Sequence, residues 1–458
     1  MIAPARIAAY EILSAVSAGR ADLPAAIAAA RERLRDDRDR ALAADIATGV
    51  QRWRAALDHV IVAFSKRAID KLDPEIVEIL RLSAYQMLHL TRVPASAVVD
   101  DAVELSKRAG KRSAAGFVNG VLRSMSRKRA SLPLPPRPTA PGDRDVALAY
   151  LSITLSHPLW LAARWYDRLG FDAAEAWMRF NNAPAPVTLR ANRLRATPET
   201  VTARLAQDDV RVARGRYAPD ALIVEEGHPL GGAGLAAGLF VVQDEASQLV
   251  ALLATPDRGR LVLDACASPG GKTTAIAAAL AERGDARHAL VVACDVRRRR
   301  IELLQRTVAR CGATNVAIVQ ADVLRPLPFS RLFDLVIVDA PCSGLGTLRR
   351  DPDIRWRRRE TDLTPLAVAE LAMLRNAADA VAPGGRLVYA TCSSEPEENE
   401  DVVAGFLRTT PGFAPVDARV AAPRLPQSVI DARGHLRTEP HVHGLEAFFG
   451  AALARAAN

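Results

Sequence analysis

The sequence predicts a multidomain chain: an all-α N-terminal domain, a small α+β middle region and a C-terminal α/β domain built on a parallel sheet. Three observations carry this. Apolar residues recur at helical spacing through residues 5–126, where strand-like alternation is nearly absent. A stretch rich in proline and charge, RKRASLPLPPRPTAPGDRD at 127–145, reads as a linker. From Leu261 onward, near-continuous apolar runs alternate with helical stretches, as strands buried on both faces do. A chain of 458 residues has a length prior of about three domains. The expected limits are 1–140, 141–255 and 256–458.

In the first domain, Ile7, Tyr10, Ile12, Leu13 and Val16 form one helical stripe. Ile76, Ile79, Leu80, Leu82, Tyr85, Leu88 and Leu90 form another. Gly49, Pro74, Pro94 and Gly110 punctuate the pattern. In the middle region, LWLAARWYDRLG and PETVTARLAQ read as helices, and PVTLRAN, LIVEE and LFVVQ as short strands. The C-terminal strands are LVLDA, ALVVACD, VAIVQAD, FDLVIVDA and RLVYATC. Ligands bind at the carboxyl ends of such strands. Asp264, Asp295, Asp322, Asp339 and Cys392 sit at or near those ends. No internal repeat is evident.

Composition excludes several classes. No run of about eighteen apolar residues exists, so no membrane span is expected. The opening MIAPARIAAYEIL lacks the apolar core and cleavage site of a signal peptide, so a cytoplasmic protein is expected. The five cysteines, Cys266, Cys294, Cys311, Cys342 and Cys392, are odd in number and confined to one region, unlike a disulfide framework. No C-x-x-C pair occurs, and His441 and His443 have no partner cluster. Both read as surface histidines, and no metal is expected. Net charge is +9. Residues 1–140 hold 23 Lys+Arg against 15 Asp+Glu, a surplus of 8; the rest hold 38 against 37. A basic excess in the first third suits a polyanion such as nucleic acid.

The chemistry concentrates in three motifs. CASPGGKT follows a strand and opens a helix, and Pro269, Gly270 and Gly271 let a ligand approach the backbone closely. Asp295, at the end of the next strand, suits two ribose hydroxyls. Asp322, ending the third, suits a base or amino group. A P-loop NTPase is a competing reading that the motif disfavours, since its first glycine position holds Cys266, and G-x-G-x-x-G is absent. A glycine turn followed by a ribose acid fits S-adenosylmethionine. Lys272 is one of only 6 lysines beside 55 arginines and the only lysine after Lys128. So lone a lysine points to a functional ammonium that guanidinium would not replace, the alternative being chance survival at an exposed helix start.

The other two motifs, FDLVIVDAPCSG and GRLVYATCSSEPEENE, place Cys342 and Cys392 just past strands, in polar turns. Two thiols at the rim of such a pocket suit covalent chemistry on a pyrimidine ring. A redox dithiol is an alternative, although their spacing is no redox motif. Cys266, Cys294 and Cys311 read as small buried hydrophobes. The acidic run Glu395 to Glu400 reads as a solvated helix start, or Asn399 braces the Cys392 loop.

DACASPGGKT, CDVRRRRIELL, QADV, DAPCSGLGTLRRDPDIRW and YATCSSEPEENE, in that order, resemble the NOP2/Sun (Fmu) family of RNA cytosine-5 methyltransferases. VVQDEASQLVA resembles the segment that precedes the family's fold. DRALAADIATGVQRWRAALD, ILRLSAYQMLHLTRVP and GFVNGVLR resemble a NusB-like RNA-binding domain. The resemblance implies a Rossmann-like class I methyltransferase fold and S-adenosylmethionine as cofactor. It implies Cys392 as nucleophile and Cys342 as the thiol that assists release, with Asp339 and Lys272 facing the cytosine. Cys266, Ala267, Ser268, Pro269, Gly270, Gly271, Lys272, Asp295, Arg300, Asp322 and Asp339 would hold the cofactor. The domain pairing implies action on 16S ribosomal RNA, and a monomer is expected. Transfer RNA and large-subunit RNA are alternatives, and so is a non-catalytic RNA-binding assembly factor, which intact Cys342, Cys392 and Lys272 argue against. The chain departs from the family at Asp351, where histidine is common, and at Glu446-Ala447, where Asp-Gly is usual.

Overall fold

The computed structural model describes the chain except residues 1, 92, 140–141, 257–258, 283–288, 331 and 458. The expected domain limit at 140/141 lies outside the described residues. Two compact units emerge: residues 1–184 with 348–360, and residues 185–347 with 361–458.

The first unit is helical, as its periodicity predicts. Its long elements are Pro4–Ser17, Leu23–Arg33, Asp37–Ser65, Pro74–His89, Ala95–Arg108 and Ala115–Arg127. Pro74 opens its helix at the first position, where its missing N–H costs nothing. That helix is buried from Ile76 to Met87. Ile79 and Leu80 join Leu13, Ile46, Leu57, Val118 and Leu122 in one core. Arg81 is buried with them because Asp58 takes its Nε and Nη2 at 2.7 and 2.8 Å, and Glu78 takes Nη1 at 2.6 Å. Gly49 does not punctuate a helix end. It lies inside Asp37–Ser65, where a Cβ would stand 1.9 Å from Tyr85 Cζ, so the glycine lets the ring pack on the backbone. The described residues between 128 and 143 carry no helix, and Leu132 and Leu134 pack on the helical core. Short helices Arg144–Ala149, Leu159–Leu169 and Phe171–Asn182 follow.

Residues 348–360 belong to this helical unit, although they continue the Cys342 motif in sequence. Arg355 is fully buried. Its Nη1 donates to Ser156 O and Asn182 Oδ1, each at 2.9 Å. Burial pushes this guanidinium down to about 9. Asp353 Oδ2 accepts from Leu23 N at 3.1 Å, and Trp356 Nε1 donates to Gln51 O at 2.6 Å.

The second unit holds two sheets. Strands β1 (Thr188–Ala191), β2 (Arg211–Arg214), β3 (Ala221–Glu226) and β4 (Phe240–Val242) form the smaller, antiparallel one, in the order β2-β3-β1-β4. Helix Pro198–Gln207, capped by Thr197, accompanies it. The larger sheet contains β5 (Leu261–Asp264), β6 (Leu290–Asp295), β7 (Val316–Gln320), β8 (Phe333–Asp339), β9 (Val381–Thr391), β10 (Phe413–Val416), β11 (Leu436–Thr438) and β12 (Phe448–Arg455). Its order is β10-β12-β9-β8-β5-β6-β7, with β11 paired to β12. β5 to β9 are parallel where they pair, as predicted. The structure adds antiparallel pairings of β12 with β9, β10 and β11. Helices Gly271–Leu280, Arg298–Cys311, Leu363–Ala378 and Glu400–Thr409 belong to this unit.

Among the described residues no helix is long and apolar enough to cross a membrane. The H-x-H pair is not simply a surface feature. His443 is half-buried, accepts from Glu439 N at Nδ1 (2.9 Å), and lies 2.9 Å from Ser428 O through Nε2.

Candidate active site

Every residue of this site lies in the second unit. β5 ends at Asp264, and the chain turns through Cys266, Ala267, Ser268 and Pro269 into helix Gly271–Leu280. Gly270 has φ +102°, and a Cβ there would stand 2.9 Å from Leu304 Cδ1. Glycine meets both demands. The turn is tied to the end of β6. Ala267 N donates to Cys294 O at 2.8 Å, and Ser268 N to Asp295 Oδ2 at 3.3 Å. Arg300 closes the far side, donating from Nη2 to Ser268 O at 3.0 Å with Nε 3.3 Å from Asp295 Oδ2. Burial pushes the Cys266 thiol far above its ordinary range, as does the Asp264 charge, and Cys294 and Cys311 are buried hydrophobes as expected. Asp322 lies two residues past β7, accepts from Leu324 N at 3.0 Å, and lines a cleft with Val296, Gln320, Ala321 and Arg325.

β5 lies between β6 and β8. In a doubly wound sheet the crossovers reverse direction there, which opens a crevice at the strand ends. Lys272 and Asp339 meet in it, with Nζ donating to Oδ2 at 2.7 Å. Burial opposes the ammonium charge, but the Asp339 carboxylate outweighs it and holds Lys272 above its ordinary range. Nζ also stands 5.6 Å from the centre of the Phe448 ring. Behind this pair, Asp264 Oδ2 accepts from Thr273 Oγ1 at 2.6 Å, and burial pushes the Asp264 carboxyl up to about 7.

The two thiols converge because β8 and β9 are parallel neighbours. Asp339 pairs with Ala390 in the ladder, so the chains leave the sheet side by side, one toward Cys342 and one toward Cys392. Their Sγ atoms stand 3.3 Å apart. The hydrogen bond to Cys392, together with burial, holds the Cys342 thiol far above its ordinary range. Gly346 N donates to Cys392 O at 2.9 Å, an approach that needs glycine, since a Cβ would stand 2.0 Å from Ala447 O.

The layer beneath the thiols was not legible in the sequence composition, and of the two readings of the acidic run the structure bears out the second. Glu395 and Glu398 are buried, not solvated. Each meets nearby donors: Ser394 Oγ gives to Glu395 Oε1 at 2.7 Å, and Ser343 N to Glu398 Oε1 at 2.6 Å. Asn399 does brace the Cys392 loop, giving Nδ2 to Ser393 O at 3.1 Å and accepting from Thr391 Oγ1 at 2.5 Å. A signal was present: each of the two cysteines is followed by a serine, Ser343 and Ser393.

The strand order, with the glycine turn at its reversal point, is that of a class I methyltransferase, and two thiols adjoin the turn. Family models match three parts of the chain: 16S rRNA methyltransferase RsmB/F at residues 250–454, the NusB family at 3–127, and the RsmF/B-like methyltransferase ferredoxin-like domain at 157–230. The ribosomal RNA small subunit methyltransferase B of Pseudomonas putida is 32% identical over 424 residues, covering 91% of this chain and 92% of its own. Rv1407 of Mycobacterium tuberculosis, named as a methyltransferase with no substrate, is 38% identical over 466 residues, covering 99% and 96%. The crystal structure of PH0851 matches with TM-score 0.79 at 26% identity, over 99% of each chain.

The chain belongs to the RsmB/F (NOP2/Sun) family of RNA cytosine-5 methyltransferases, with a NusB N-terminal domain and a ferredoxin-like middle domain. It is an enzyme that depends on S-adenosylmethionine.

Proposed function

We propose that this protein methylates carbon 5 of a cytosine in 16S ribosomal RNA, through a bond from Cys392 to carbon 6. The observation that carries the reading is the thiol pair, 3.3 Å apart, close to the Lys272–Asp339 ion pair. The relative named for the ribosomal small subunit supports 16S RNA as the substrate.

The residues of the crevice fit the cofactor: a glycine turn at the strand-order reversal, and the buried Asp295 carboxylate at the end of the next strand. Cys266 to Lys272, Asp295, Arg300, Asp322 and Asp339 would hold it. When bound, S-adenosylmethionine supplies an electrophilic methyl group.

Carbon 5 of cytosine is a poor nucleophile. A thiolate at Cys392 that bonds carbon 6 makes the ring electron-rich at carbon 5. Asp339, fixed by Lys272, would face ring nitrogen 3, and a proton relayed from the Lys272 ammonium through its carboxyl group would offset the negative charge that develops there. Once carbon 5 carries the methyl group, its proton passes to a base, either a solvent water or Cys342 as the thiolate. The electrons of that C–H bond restore the ring double bond, and the pair of the C–S bond returns to Cys392. Cys342, beside that sulfur, is placed to assist by proton transfer. The base must first be unstacked, and residues 1–140, with their surplus of 8 positive charges, would supply RNA affinity.

Bisulfite sequencing of RNA from a deletion strain tests the substrate. One protected cytosine in 16S RNA should disappear, returning with the wild-type gene but not with Cys392→Ala. Loss of a site in transfer or large-subunit RNA, with 16S RNA unchanged, would overturn the assignment.

A further inference from the structure

Glu398 is a buried carboxylate beneath both thiols, with no part in the chemistry described so far. Ser343 donates to it twice, from N to Oε1 and from Oγ to Oε2, each at 2.6 Å. Ser393 Oγ also donates to Oε2. The two serine hydroxyls stand 3.3 Å apart. Ser343 follows Cys342 on the loop after β8, and Ser393 follows Cys392 on the loop after β9. One carboxylate therefore gathers both cysteine loops. A buried carboxylate is costly unless donors surround it, and here the donors come from the residues next to the thiols.

The layer below adds no second negative charge. Tyr389 OH stands 2.6 Å from Glu398 O and 3.1 Å from Glu370 Oε2. A tyrosine hydroxyl has one proton to give. If it goes to the carbonyl, a protonated Glu370 completes the second contact by donating to Tyr389. Burial, reinforced by the Glu398 charge, pushes the Glu370 carboxyl up to about 9, which agrees.

We infer that Glu398 is the positioning residue that sets the two thiols against each other, by tying the residue after each cysteine to one carboxylate. Its catalytic consequence rests on the Cys392 and Cys342 roles given above; its geometric consequence does not. Two thiols that serve one ring in sequence need a fixed separation, and a misplacement of about 1 Å can slow turnover about 100-fold.

The test compares full-length wild type, Glu398→Ala and Glu398→Gln. Melting and S-adenosylmethionine affinity report whether fold and cofactor turn survive. Diamide then takes two electrons and two protons from the thiol pair, leaving a Cys342–Cys392 disulfide that peptide mapping identifies. The rate of that reaction reads the approach of the sulfurs without any catalysis. Glu398→Ala should trap at least about 10-fold more slowly, and its kcat should fall about 100-fold with KM little changed. Glu398→Gln keeps one acceptor oxygen and should recover part of both. If Glu398→Ala does not fold, the Ser343→Ala/Ser393→Ala double variant removes only the hydroxyl arms and takes the same test. Unchanged trapping and turnover in a folded variant would overturn the inference. Slowed trapping, alongside methyl transfer that persists in Cys392→Ala, would keep the clamp and sink the catalytic assignment instead.

Discussion

Lys272 Nζ and Asp339 Oδ2 stand 2.7 Å apart, joining the first turn of helix Gly271–Leu280 to the end of β8. The cofactor turn and the strand leading to Cys342 thus share one ion pair. A cation at a helix start opposes the dipole, and the Asp339 carboxylate offsets this. A guanidinium is planar and wider and cannot replace the ammonium in this space. Lys272→Arg should cut methyl transfer about 100-fold, the scale of losing one preorganised electrostatic contact. Its melting temperature should change little. Activity close to wild type in a radiolabel assay would show that any cation suffices.

Asp295 holds the glycine turn through Ser268 N and Arg300, and is expected to take the ribose hydroxyls. Asp295→Ala should weaken S-adenosylmethionine binding about 10- to 100-fold, or about 1.4 to 3 kcal/mol. Calorimetry reads this directly, and unchanged affinity would remove Asp295 from the cofactor site.

Gly49 lies under the Tyr85 ring, inside a helix rather than at its end. Gly49→Ala improves helix propensity yet forces the ring away. The clash should win, lowering stability by about 1–3 kcal/mol. Scanning calorimetry that showed a higher melting temperature would mean the helices separate at little cost.

The Glu370 carboxyl, pushed up to about 9 by burial, keeps its proton where the unfolded chain, with its ordinary value of 4.5, has lost it. Between those values the folded state binds more protons, so this group's contribution to stability falls as pH rises toward 9. From about pH 7.5 to about pH 9, wild type should therefore lose more melting temperature than Glu370→Gln. Parallel losses in the two proteins would place the Glu370 charge on the folded state.

Strands β5, β6, β8 and β9 were legible because burial on both faces writes a continuous apolar run, and helices follow β5, β6 and β8, while the half-buried edge strand β7 was legible from its apolar run alone. β12 was not. Phe448–Arg455 is an equally continuous apolar run, but it returns antiparallel after only the four-residue helix Pro440–His443, without the long crossover that marks the parallel strands. The thiols, Asp295 and Asp339 stood out as residue types at or just past strand ends, and Lys272 as a lone lysine at a helix start. Glu398 was hidden because composition marks an acidic run as solvated, while its donors, Ser343 and Ser393, reach it from two strand ends. Arg355 was hidden for a similar reason. Its acceptors are mostly backbone carbonyls, such as Ser156 O and Leu348 O, which leave no trace in composition.

The central claim is that Cys392 attacks the cytosine and Cys342 releases it. Denaturing gels of each variant incubated with substrate RNA and S-adenosylmethionine test it most directly. Cys342→Ala should form the bond to carbon 6 but clear it slowly, so RNA should co-migrate with that protein. The band should be absent from Cys392→Ala and from the Cys342→Ala/Cys392→Ala double variant. An adduct that accumulates in Cys392→Ala instead would contradict the account and reverse the roles of the two thiols.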